Sequence, residues 1–227
     1  MTDLIRIESA APDRFVFDAW RVGPADARRG GLVVIQEIFG VTDHIRDVAA
    51  GFAAQGYETL CPALFDRRAP GFMADYDAEG VARGRALSEA TPWDEVEGDL
   101  AAAVASLGPP VFVVGYCWGG TAAWLAACRV PGVAAASAYY GRRIPELLSE
   151  TPRCPIILHF GRADASIPPE TVEAIGEAHP DLPIHLYDAG HGFASDRGSD
   201  YRPDAADLAR LRTLQLFALN GVGRGEF

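Results

Sequence analysis

Cys117 stands in Gly115-Tyr116-Cys117-Trp118-Gly119, directly behind the apolar run Val111-Phe112-Val113-Val114. The pattern predicts a buried strand, a sharp turn and then a helix, with sulfur where such a turn usually presents a serine hydroxyl. Nucleophiles on this turn sit in strained backbone, and bulky residues two places either side would collide with the strand and helix. Gly120 adds room, and Thr121 to Ala127 is a good helix former. The N-terminus of that helix would aim unpaired N–H groups and a positive dipole end at the sulfur, stabilising a thiolate or an oxyanion. The competing reading of these five residues is a small buried cysteine in a glycine-rich connection.

A sulfur nucleophile needs a base, a group that orients the base, and donors for the oxyanion. His191 lies in Asp188-Ala189-Gly190-His191-Gly192-Phe193, just past a strand pattern, with glycines on both sides. His159 and His185 lie inside strand patterns, His44 in a first helical turn and His179 at a helix end, so His191 is the candidate base. Asp164, in Gly161-Arg162-Ala163-Asp164, follows the strand ending at Phe160 and is the candidate orienting carboxylate. Asp188 competes, but it lies only three residues from His191 on the same connection. The order nucleophile, acid, histidine is the one this strand–turn–helix arrangement uses. Glu37, in Gln36-Glu37-Ile38-Phe39-Gly40, ends another apolar run and is a carboxylate between two apolar neighbours.

The elements that must position these residues are legible as continuous apolar runs, the mark of parallel strands covered on both faces. They are 31–35, 111–114, 133–140, 155–160 and 183–187, with a weaker one at 57–61. Helical patterns lie between them: one capped by Asp43 and ending at Gly56, one over 95–104, one over 169–178, and a last one over 204–220. Residues 1–20 read as one or two antiparallel edge strands, and 65–92 has little periodicity. Alternation of β and α elements predicts an α/β fold, a mostly parallel sheet with helices on both faces, in one domain over 1–227. Ligands in such sheets bind at the carboxyl ends of the strands, where all four candidate residues fall.

The net charge of −11 argues against nonspecific binding to nucleic acid or to an anionic membrane. Neither a secretory leader nor a run long enough to span a bilayer is visible, which predicts a cytoplasmic protein. Cys61, Cys117, Cys128 and Cys154 lack metal-ligand spacing and contain no Cys-x-x-Cys pair. The expectation is a reduced protein without cofactor or metal, acting on a small molecule as a monomer or small homo-oligomer.

Four strings occur together and in order: Gln36 to Gly40, Gly115 to Gly120, Gly161 to Pro168, and Gly190 to Phe193. In this the chain resembles the dienelactone hydrolase family (carboxymethylenebutenolidases) of the α/β-hydrolase fold. The resemblance implies a Cys117, His191, Asp164 triad, with backbone N–H groups of Ile38 and Trp118 as oxyanion donors. It implies that Glu37 accepts a hydrogen bond from the resting thiol, which substrate binding helps to convert into a thiolate. The implied reaction is lactone opening through a thioester to an enolate, then hydrolysis to a maleylacetate-type product. Substrate contacts would come from Arg83, Arg85, Ser195, Arg197 and Phe39. Studied members hold a substrate carboxylate with two arginines, but Ser195 stands at one of those positions and neither Arg83 nor Arg85 falls on the other. A general carboxylesterase of non-acidic esters and a catalytically idle binding domain therefore remain open beside the lactone hydrolase.

Overall fold

A computed structural model describes residues 2–221. Eight strands form one sheet in the order β1-β2-β4-β3-β5-β6-β7-β8, where β1 is Thr2–Glu8, β2 Val16–Val22, β3 Gly30–Ile35, β4 Tyr57–Pro62, β5 Val111–Tyr116, β6 Val133–Tyr139, β7 Ile156–Gly161 and β8 Ile184–Tyr187. The first two strands are antiparallel, and β2 joins β4 antiparallel; all other pairings are parallel. Every residue of β3, β5 and β7 is buried, because helices cover both faces and no alternation with polar residues is required.

Two helices, α1 (Asp43–Ala53) and α6 (Pro203–Gly221), share one face. They meet through aromatic rings: Phe217 stacks on Phe112 at 4.6 Å and lies 6.5 Å from Phe52 and 6.0 Å from Tyr57. The other face carries α3 (Trp93–Ala105) and α4 (Trp118–Arg129), which pack on one another. Gly98 of α3 lets the chain at Ala11 approach so closely that a β-carbon there would stand 2.5 Å from Ala11 N. The remaining helices are α2 (Ala78–Ala90) and α5 (Pro169–Ala178).

Several expected boundaries move. The edge hairpin continues to Val22, and α1 has Thr42 at its N-cap position, with no capping side-chain bond, and Asp43 already in its first turn, paired with Arg46 at 3.4 Å. Helix α3 begins at Trp93, two residues before the expected start. Helix α2 was not legible at all in the 65–92 stretch. Its buried residues are Gly80, Gly84 and Ser88, at spacing four, so its inward stripe is small rather than apolar. The reason is steric. A β-carbon at Gly84 would stand 2.2 Å from Ile38 O, and one at Gly80 1.9 Å from Asp75 O. Asp77 caps α2 by accepting from Gly80 N at 2.7 Å. The helix is thereby pressed against the turn after β3, where Glu37 and Ile38 lie.

Candidate active site

The turn between β5 and α4 places Cys117 at φ 56°, ψ −117°, a left-handed backbone that costs a non-glycine residue on the order of 1–3 kcal/mol. It is held from both sides: Cys117 N–H donates to Tyr139 O at 3.0 Å, and Gly120 N–H to Cys117 O at 2.9 Å. The flanking glycines are required. A β-carbon at Gly115 would meet Gly119 O at 1.8 Å, one at Gly119 would meet Gln36 O at 2.4 Å, and one at Gly120 would meet Tyr139 O at 2.2 Å.

His191 Nε2 lies 3.1 Å from Cys117 Sγ, and its Nδ1 lies 2.7 Å from Asp164 Oδ2. The loops after β7 and β8 that carry these two residues are tied together by Arg162 N–H to Tyr187 O (2.8 Å) and Ala163 N–H to Ala189 O (3.0 Å). Ser166, which the sequence reading missed, completes the arrangement. Its N–H and hydroxyl donate to Asp164 Oδ1 at 2.8 and 2.7 Å, and its oxygen lies 3.0 Å from His191 Nδ1. The signal was a short Asx-type turn, Asp164-Ala165-Ser166. Asp188 instead pairs with Arg162 at 3.2 Å in solvent, away from the histidine.

Electrostatics favour a charged imidazole here. Burial opposes a charged His191, but the charge of the facing Cys117 sulfur and the bond to Asp164 outweigh it and lift the imidazole to about 10. Burial alone would raise Asp164 as well; the His191 and Ser166 donors more than offset it and hold the carboxyl below its usual range. Burial pushes Cys61 and Cys128 up to about 12 and Cys154 to about 11, and none of the three reaches the cavity that Cys117 lines.

Trp118 is the first residue of α4, so its N–H has no partner within the helix. Its ring stacks on Trp93 at 5.8 Å, 15° from parallel. Ile38 N–H likewise donates no hydrogen bond among the described residues. Both residues line the cavity beside Cys117. Glu37 is buried, and its Oε2 accepts from the Tyr76 hydroxyl at 2.7 Å. This departs from the expected bond between Glu37 and the thiol: the sulfur faces His191, and the Glu37 carboxylate turns to a tyrosine that sequence reasoning did not single out.

The cavity over the sulfur has a volume of about 690 Å³. Of the expected substrate contacts, Phe39, Arg85, Ser195 and Arg197 line it. Ser195 is buried, with its hydroxyl near that of Tyr76 but outside hydrogen-bond geometry. The Arg197 guanidinium is engaged by Asp47 at 3.3 Å and Asp196 at 3.4 Å. Arg83 does not belong to the group. It lines instead a neighbouring cavity of about 390 Å³ together with Tyr76 and Arg197, and its guanidinium lies 5.2 Å from the Phe72 ring. Two unexpected arginines line the cavity, Arg142 and Arg143, both just past β6. Arg143 is neutralised by Glu146 at 2.7 and 2.8 Å, whereas Arg85 and Arg142 form no ion pair among the described residues.

The sequence pattern that defines the dienelactone hydrolase family matches residues 17–220. A carboxymethylenebutenolidase from Pseudomonas putida is 36% identical over 231 residues, covering 96% of this chain and 97% of that protein. The chain belongs to the dienelactone hydrolase family. Another relative, a carboxymethylenebutenolidase from Pseudomonas sp. (strain P51), is 35% identical over 207 residues, covering 85% of this chain and 86% of its own. The fold agrees: a crystal structure of a candidate dienelactone hydrolase from Klebsiella pneumoniae superposes with a TM-score of 0.80 at 26% identity, over 95% of this chain and 99% of its own. The eight-stranded, mostly parallel sheet is thus the α/β-hydrolase fold of that family. No helix among the described residues is long and apolar enough to cross a membrane. Nor do they contain a group of three or more His, Cys, Asp or Glu side chains placed to hold a metal ion.

Proposed function

We propose that this member of the dienelactone hydrolase family is a cysteine hydrolase that opens a lactone or cleaves an activated ester through a thioester. The observation that carries the reading is the chain of contacts from Cys117 Sγ to His191 Nε2 (3.1 Å) and from His191 Nδ1 to Asp164 Oδ2 (2.7 Å), set at the cavity. The thiol proton passes to His191 Nε2, giving a thiolate and an imidazolium that Asp164 stabilises. Sulfur attacks the carbonyl carbon, and the carbonyl oxygen takes up negative charge opposite the Ile38 and Trp118 N–H groups. The carbon–oxygen bond to the leaving group breaks, and His191 gives its proton to the departing oxygen, an enolate included, so that the imidazole is neutral again when the thioester has formed. Water, losing a proton to His191, then cleaves the thioester and restores the thiol. Sulfur leaves more readily than an alkoxide does, so substrates with good leaving groups suit this site. Glu37, which accepts from Tyr76, makes no bond to the substrate in this reading.

The substrate is read as a small molecule carrying an anionic group. Arg85 and Arg142 offer uncommitted guanidinium groups to the cavity of a chain whose net charge is −11. A second reading, a carboxylesterase of neutral esters, is favoured by Ser195 and by the engagement of Arg197 with Asp47 and Asp196. Turnover of cis- and trans-dienelactone beside p-nitrophenyl acetate, with Cys117→Ala as the blank, tests both. Preference for the dienelactones supports the anionic substrate, and preference for the neutral ester supports the second reading. Turnover of none of them above the blank refutes a Cys117 hydrolase of these substrates.

A further inference from the structure

His159 is a buried histidine outside the candidate triad. It lies in β7 with no exposed surface, opposite Tyr139 of β6 and His185 of β8 in the sheet register. Both ring nitrogens are engaged: Nδ1 lies 2.8 Å from Tyr187 Oη, and Nε2 lies 3.1 Å from Ser137 Oγ. The donors and acceptors fix where each proton sits. Arg212 of α6 can only donate, so Tyr187 Oη accepts from Arg212 Nη1 at 3.0 Å and gives its own proton to His159 Nδ1. The imidazole therefore carries its proton on Nε2 and donates it to Ser137 Oγ. Thr213 Oγ1 donates to Ala209 O at 3.0 Å, which leaves it to accept from Ser137 Oγ at 2.8 Å and from Tyr139 Oη at 2.9 Å. Donation thus runs from Arg212 through Tyr187, His159 and Ser137 to Thr213, and it ties β6, β7 and β8 to α6.

The tied strands end at the candidate triad. Asp164 follows His159 by five residues, and His191 follows Tyr187 by four. The Tyr187 ring lies 4.9 Å from that of Phe193, which lies 5.3 Å from Tyr140, whose ring lies 5.0 Å from His191. A second proton on the His159 ring has no place here. A proton on Nδ1 would turn the Tyr187 hydroxyl proton away, and no other acceptor faces that hydroxyl among the described residues. The charged or titratable groups facing the imidazole are His185 and Tyr187 of β8, Tyr139 of β6 and Arg212 of α6, with no carboxylate among them. Burial first, and then the neighbouring His185 and Arg212, hold this imidazole well below its usual range.

We propose that His159 is an acid-sensitive clamp: as a neutral imidazole it ties the ends of β7 and β8 to β6 and α6, and in acid its protonation undoes the tie. The clamp stands apart from the proposed reaction; only its bearing on catalysis, through Asp164 and His191, rests on that reading. The folded protein excludes the proton, whereas the unfolded chain takes it up near the ordinary 6.5. The contribution to stability is fully present above about 6.5. Below that value it is lost by up to about tenfold in the unfolding equilibrium constant for each pH unit.

Two measurements test the clamp. In the native protein labelled with ¹⁵N-histidine, nuclear magnetic resonance should find the His159 ring as the neutral Nε2–H tautomer from pH 8 down to pH 5. A ring that titrates near 6.5 in the folded protein, or that carries its proton on Nδ1, overturns the clamp. The second measurement is urea unfolding at pH 6 and pH 5, followed by tryptophan fluorescence, with His159→Gln as the comparison. The amide offers one acceptor and one donor and does not titrate. Over this interval the native unfolding constant should rise roughly eightfold more than that of the variant. A histidine that serves packing alone would cost stability when replaced without changing this pH dependence, so equal rises in the two proteins overturn the clamp. Should His159→Gln not fold, the tautomer and titration of the native ring decide the matter.

Discussion

Replacing Asp164 by asparagine should move the alkaline limit of activity. The His191 imidazole, with a side chain 29% exposed, is lifted from 6.5 to about 10. That difference amounts to stabilisation of the imidazolium on the order of 5 kcal/mol. Burial works against it; among the favourable contributions the charge of the Cys117 sulfur comes first, followed by the Asp164 bond. If Asp164 supplies rather less than half, losing its charge removes about 2 kcal/mol and lowers the limit by roughly 1 to 2 pH units. Asparagine adds a geometric fault. Asp164 accepts from His191 Nδ1, Ser166 N and Ser166 Oγ, and an amide must turn its NH₂ toward one of these donors. The sign follows from the raised value: the imidazolium is fully present at low pH and disappears as pH rises through about 10 in the native protein. The same pair stabilises the fold below about 6.5, and that contribution is lost over the same rise. The assay is kcat/KM for phenyl acetate against pH, with Cys117→Ala subtracting background hydrolysis. An alkaline limb that stays near the native position in Asp164→Asn refutes Asp164 as the partner of His191.

Cys117→Ser should retain the fold but lose on the order of 10³ or more in kcat, because the imidazole is placed for a thiol that ionises readily; serine activity within tenfold of native would contradict a thiolate mechanism. Gly84→Ala gains up to about 1 kcal/mol of helix propensity but drives a β-carbon to 2.2 Å from Ile38 O. The net effect should be a loss of roughly 1–3 kcal/mol in thermal unfolding and a fall in kcat, as α2 is pushed off the turn that carries Ile38 N–H. Arg85→Ala and Arg142→Ala should each raise KM for a carboxylate-bearing ester roughly tenfold while leaving that of its neutral analogue nearly unchanged. Equal effects on both substrates would remove the case for an anionic substrate.

Much of the site was readable along the chain because its constraints are local. The Gly115-to-Gly120 spacing reports a turn in which each added β-carbon strikes backbone, so the elbow could be placed without knowing what surrounds it. His191 and Asp164 follow apolar runs, and the sheet's parallel connections bring such strand ends to one edge. Helix α2 escaped notice for an equally physical reason. Its buried stripe of Gly80, Gly84 and Ser88 is selected for closeness to backbone rather than for hydrophobicity, and it leaves no apolar period to detect.

The sequence by itself determined the sheet, the elbow, the order of the candidate triad and the family, since these depend on burial patterns and glycine requirements written in consecutive residues. Only the tertiary structure decided the partners. Glu37 turns to Tyr76, 39 residues away, instead of to the thiol. Ser166 joins Asp164 at His191, Arg83 lines the neighbouring cavity instead, and Arg142 lines the one over the sulfur. Each of these outcomes depends on which side chains meet across loops that have no periodicity. A hydrogen bond or a guanidinium's direction is set by the distance between chain segments, and that distance exists only once the sheet and α2 have brought the segments together.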